Sequence, residues 1–136
     1  MSAQRLPDWT ARLAKVVVER QRVPFAWGSN DCVAFAADCV AAMHGKDSMA
    51  EFRTERRCAR QAQQQLAEGG GLDAGLARAG LEEVPPAFAQ VGDLVLLRLG
   101  PRRRVLGVCN GLEALSPARR GLGQAPMANA VQAWRV

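Results

Sequence analysis

The sequence predicts an α+β fold, with a helical half over about residues 5–80 and an antiparallel-sheet half over about 81–136 of a single domain spanning 1–136. Three observations predict it. Apolar residues in the first half recur at helical spacing. One segment of that half, Val33 to Met43, is apolar almost all round, as a buried helix must be. After Pro85-Pro86 the apolar runs shorten and are bounded by glycine, proline and arginine, which is the pattern of strands. With 136 residues, 49% of them hydrophobic, the chain can fill one core and is too short for two independent domains.

The first helix follows from Trp9, Leu13, Val16, Val17 and Arg20, with Pro7-Asp8 suited to its opening turn. Pro24 and Gly28 then break the chain into a loop that delivers Cys32. Ser29 or Asn30 is expected to cap the second helix, with Asp31 set against its dipole. Asp38 is the one charge inside that helix, and an arginine or backbone donors should neutralise it. His44-Gly45-Lys46-Asp47 ends the helix with a cation and then a glycine. A third, largely exposed helix is expected from about Thr54 to Glu68, stopped by Gly69-Gly70-Gly71, and a short one from Leu72 to Ala79. Among the strands, Val91 to Arg98 and Arg104 to Cys109 pair through a turn at Gly100 to Arg103, while Leu112 to Leu115 and Ala130 to Val136 supply two more. The apolar helix should pack across this sheet.

Composition narrows the function classes. No apolar run reaches membrane-spanning length, and Met1 to Arg5 leads into an amphipathic segment rather than a signal-peptide core, so the protein is expected to be made and folded in the cytoplasm. The cysteines, Cys32, Cys39, Cys58 and Cys109, form no CxxC pair, which argues against a disulfide framework or a closed zinc site, and no metal or cofactor is expected. Cys39, Cys58 and Cys109 read as packing residues. A net charge of +5 raises the possibility of nucleic acid. The arginines, however, cluster at turns (Arg56-Arg57, Arg102 to Arg104, Arg119-Arg120) without a recognition motif beside them, so solvated surface or contact with a protein partner is the better reading.

Cys32 is the candidate catalytic residue. A cysteine in the first turn of a helix lies against free backbone N–H groups and the positive end of the dipole, which favours thiolate. A cysteine nucleophile also needs a base, and His44 is the only histidine. It lies twelve residues further along the same helix, roughly 18 Å away at a rise of about 1.5 Å per residue, so the two form no dyad. Asp93, Glu113 and Asp38 are the carboxylates considered as replacements. Phe25 and Trp27 line a groove or staple the loop onto the core, the staple being preferred, and Trp134 is expected in the core or at a partner contact rather than as a ligand platform.

Two stretches carry a resemblance. Phe25-Ala26-Trp27-Gly28 followed by Asp31-Cys32, and Val91-Gly92-Asp93-Leu94-Val95 followed by Leu106-Gly107-Val108, resemble the NlpC-like branch of the papain-like cysteine peptidases, whose members cleave cell-wall peptides. The resemblance implies the papain-like NlpC-type fold and assigns the nucleophile's place to Cys32. In that family a histidine precedes the Val-Gly pair of the second strand; here Val105 holds its place. The wider layout is similar to small phage and prophage proteins of this fold encoded beside tail-tip genes. The shared features are the Trp9 helix, the Asp31-Cys32 helix, His44-Gly45-Lys46-Asp47, Phe52-Arg53 and Ala133-Trp134-Arg135-Val136. It implies a structural and assembly component of a phage tail tip with an incomplete catalytic set. Its partners would be other tail proteins and, secondarily, peptidoglycan, and it would move from the bacterial cytoplasm into the virion. Such a role predicts partner-facing residues at Leu81, Pro85, Pro86 and Phe88. The alternatives are an active cysteine peptidase or amidase that opens peptidoglycan during phage entry, and a basic module that contacts nucleic acid.

Overall fold

The computed structural model describes residues 4–53, 58–67 and 71–136. Helices α1 (Trp9–Arg20), α2 (Cys32–His44), α3 (Ala59–Leu66) and α4 (Leu72–Arg78) precede strands β1 (Glu82–Val84), β2 (Leu94–Gly100), β3 (Arg103–Cys109), β4 (Glu113–Ala118), β5 (Gly121–Pro126) and β6 (Ala130–Arg135). The strands form one antiparallel sheet in the order β1-β6-β2-β3-β4-β5, and the helices pack on it, which is the predicted α+β arrangement.

Helix α2 explains the packing. Val33, Phe35, Val40 and Met43 are fully buried, and burial of each such side chain stabilises the fold by about 1.5–3 kcal/mol. They meet Leu94 and Leu96 of β2 and Leu106 and Val108 of β3, residues that the register sets opposite one another as Leu94↔Val108 and Leu96↔Leu106. The alternate residues Val95 and Leu97 join Cys109, Ala114 and Ala133 in a second, smaller cluster. Trp134 is 1% exposed, which places it in the core, the first of its two expected positions. Asp38 is held by Arg20 and by Arg53, the latter at 2.8 Å, so the expected neutralisation comes from two arginines.

Asp93 ties the two ends of the chain to the start of β2. Fully buried, it accepts from Arg5 at 2.7 Å, Arg135 at 3.0 Å and the backbone N–H groups of Gln90 and Val136. A carboxylate with four donors is a structural knot, and none of its bonds reaches toward Cys32.

Several boundaries differ from the sequence expectation. Val91-Gly92 forms a turn, with Gly92 at φ +92°, so β2 starts at Leu94. Helix α3 is shorter than predicted within the described residues; 54–57 and 68–70, with Gly69 and Gly70 of the expected stop, lie outside them. Strands β1 and β5 were not anticipated. β5 contains two glycines and a proline, and is a strand because six of its residues pair with β4. Leu81 is 4% exposed, so it belongs to the core and not to a partner surface, whereas Phe88 is 65% exposed. Cys58 is exposed rather than packed.

His44 also departs from its expected role as a helix-end cation. It is 6% exposed, its Nδ1 lies 2.8 Å from the Ser48 hydroxyl, and its Nε2 has no hydrogen-bond partner among the described residues. Burial, reinforced by the charges of Lys46 and Arg5, pushes its pKa below the ordinary histidine value. The packing thus favours the neutral ring over the imidazolium.

Candidate functional site

The loop between α1 and α2 is built to present Cys32. Ala26 and Asn30 exchange backbone hydrogen bonds of 3.2 and 2.9 Å, closing a tight turn through Gly28 at φ +80°. Asn30, 4% exposed, donates its side-chain amide to the carbonyls of Val23 and Pro24 and accepts from Arg20 at 3.0 Å. The cap of α2 is therefore Asp31 rather than Ser29 or Asn30: its carboxylate accepts from Ala34 N–H at 2.8 Å and Gly28 N–H at 2.9 Å. Phe25 N–H donates to the Ala118 carbonyl at 2.9 Å, pinning the loop to the end of β4. Cys32 is the first residue of α2 and is 8% exposed, facing a groove of about 690 Å³.

A proline opens that groove. β3 and β4 pair only at Val108↔Leu115 and Cys109↔Ala114. Continuing the register would set Leu106 against Pro117, which has no N–H to donate. The Ser116 hydroxyl donates to the Leu106 carbonyl instead, at 3.2 Å, and the strands part. Beyond the break, Arg104 takes its backbone partners from α3: its N–H donates to the Gln63 side-chain oxygen and its carbonyl accepts from the Gln63 amide, both at 2.8 Å. The space so opened is floored by Leu97, Val105, Ala114 and Ala125 and walled by α3 on one side and the cysteine loop on the other. Phe25 and Trp27 both line it, their rings edge to face with centroids 4.6 Å apart, so the pair forms groove wall where a staple onto the core was preferred.

The groove thus brings Cys32 and Val105 to one surface and adds Ser116, Gln63 and the guanidinium-bearing Arg103, Arg104 and Arg119. Its described residues do not bring a base. Among its described lining residues there is no histidine and no carboxylate. Asp93 is enclosed in its knot, Asp38 is engaged by two arginines, Glu113 starts β4 outside the groove, and His44 is at the far end of α2. The other buried thiols offer no nucleophile either, since burial raises the pKa of Cys39 and Cys109 and keeps both protonated. Among the described residues no cluster of three or more histidine, cysteine, aspartate or glutamate side chains is arranged to hold a metal ion.

The architecture is that of the NlpC/p60 domains. A solved structure, the NlpC/p60 domain of the peptidoglycan hydrolase SagA, is similar over 93% of this chain and 97% of its own, with a TM-score of 0.59 at 13% identity, a likeness of fold. The chain itself belongs to the family described as "Domain of unknown function (DUF6950)", whose profile matches residues 4–136. Among curated proteins, none matches the sequence.

Proposed function

We propose that this protein is a structural and assembly component of a bacteriophage or phage-like tail tip, built on an NlpC-like fold whose catalytic set is incomplete. One observation carries the incompleteness: the groove that receives Cys32 presents Val105 where the peptidase family has its histidine, and no described lining residue replaces it. A hydrocarbon cannot take the thiol proton. The tail-tip assignment rests on the resemblance of layout to small phage tail-associated proteins, and the shared residues hold this fold together. Arg53 bridges Asp38 and Asp47 at 2.8 Å each, Phe52 is buried against Gly75, Trp134 fills the core and Arg135 binds Asp93. Its partners in this reading are other tail proteins, met first in the bacterial cytoplasm and then in the virion.

Quantitative mass spectrometry of purified particles from the encoding host tests the proposal. The chain should be present at a fixed ratio to tail proteins, and gene deletion should leave heads intact and tails defective. Absence from the particle, or normal tails without the gene, overturns it. Cys32 at a helix start on an open groove favours a second reading, an active peptidase or amidase on peptidoglycan whose base comes from a neighbouring subunit. That reading requires cell-wall cleavage that disappears in Cys32→Ser.

A further inference from the structure

We propose that the Cys32 groove is a docking site for an acidic peptide segment of a protein partner, carrying one apolar anchor side chain flanked by carboxylates. The inference rests on the reading of the groove as one that binds without cleaving.

Charge is the first argument. Arg103, Arg104 and Arg119 line the groove, and the surface continues past Gln63 and Arg104 into a shallower depression carrying Arg60 and Arg102. No described residue lining either space is acidic, and none of these five arginines forms an ion pair with a described carboxylate. Outside the groove, Arg5, Arg12, Arg20, Arg53, Arg78 and Arg135 are engaged by carboxylates, while Arg22, Arg98 and Arg120, like the groove arginines, form no ion pair with a described carboxylate; what sets the groove apart is five such arginines gathered on one surface. Arginines that line a groove and have no ion-pair partner among the described residues make a receptor for carboxylates, and Arg binds them through paired N–H donors.

Shape is the second. The floor is aliphatic and small, which suits one branched side chain, and about 690 Å³ falls in the range that encloses a drug-sized ligand or a short peptide stretch. The same features disfavour a nucleic acid strand. Single-strand binders stack successive bases on open aromatic faces, whereas Phe25 and Trp27 meet edge to face at an interplanar angle of 86° and no further aromatic is among the described residues lining the groove.

The test is fluorescence anisotropy on the full chain with a labelled seven-residue peptide of Asp and Glu around a central leucine. Comparison probes are its Asn/Gln counterpart, a single-stranded oligonucleotide and a muramyl tripeptide. Saturable binding of the acidic peptide that weakens as salt rises is expected. Arg103→Ala with Arg119→Ala, both exposed and therefore safe for folding, should raise Kd about tenfold, and Trp27→Ala several-fold. Equal binding of the Asn/Gln peptide, tighter binding of the oligonucleotide, no change in the arginine variant, or no binding at all overturns the proposal. Failure of the acidic peptide to bind leaves the base-less groove standing. Cys32-dependent cleavage of the muramyl peptide refutes the base-less reading itself.

Discussion

Asn30→Ala isolates the device that presents Cys32. The Asn30 side chain makes three hydrogen bonds, to the Val23 and Pro24 carbonyls at 3.2 and 3.0 Å and from Arg20 at 3.0 Å, in a site that leaves it 4% exposed. At about 1 kcal/mol net for each bond the substitution costs about 3 kcal/mol. A 136-residue chain unfolds with an entropy of about 0.29 kcal/mol/K, so the melting temperature should fall about 10 °C. Thermal unfolding followed by circular dichroism measures the fall, with Ser29→Ala as an exposed neighbour in the same loop. The loosened turn should also speed iodoacetamide labelling of Cys32 several-fold, read by mass spectrometry at that residue. A shift below about 3 °C with unchanged labelling would refute the reasoning, and would mean that the Ala26–Asn30 backbone pair and the Phe25–Ala118 bond fix the loop without the side chain.

Three further expectations concern other parts of the fold. Pro117→Ala supplies the missing N–H for the Leu106 carbonyl, so the β3–β4 ladder should lengthen and the groove narrow; hydrogen exchange should find the new amide protected, and free exchange there would contradict the origin given for the groove. Gly75→Ala drives a methyl into the Phe52 ring and should destabilise by about 1–3 kcal/mol, measured by urea unfolding. His44, whose pKa is lowered in the fold, takes up its proton more readily unfolded; its stabilising effect is complete above the unfolded value of about 6.5 and is lost as pH falls below it, and His44→Gln should flatten that part of the stability–pH curve.

How much of this could be read in the sequence depends on where the determining contacts lie. Helix α2 was legible because its own residues say that it is buried, and Asp31-Cys32 fixes where it starts. β2 and β3 were legible as apolar runs around a Pro-Arg turn. β5 was not, since Gly121 to Pro126 has no strand propensity and owes its conformation to β4. The floor and walls of the groove come from segments distant in sequence, brought together by the break in the β3–β4 ladder. Pro117 inside an otherwise pairable run was the one local signal that could have located that break. Gln63 was hidden in a glutamine-rich helix that read as solvated surface, yet it satisfies both backbone groups of Arg104. His44 is not legible in this way: its position at a helix end suggests a cation, while the burial around it, invisible locally, lowers its pKa and favours the neutral ring.

Cleavage tests most directly the proposal that Cys32 faces a groove whose described residues supply no base. Purified peptidoglycan and defined stem peptides would be incubated with the wild-type chain and with Cys32→Ala, and released fragments quantified by liquid chromatography and mass spectrometry. Wild type and variant should both release nothing above the buffer control. Fragments released by the wild type and lost in Cys32→Ala would contradict it.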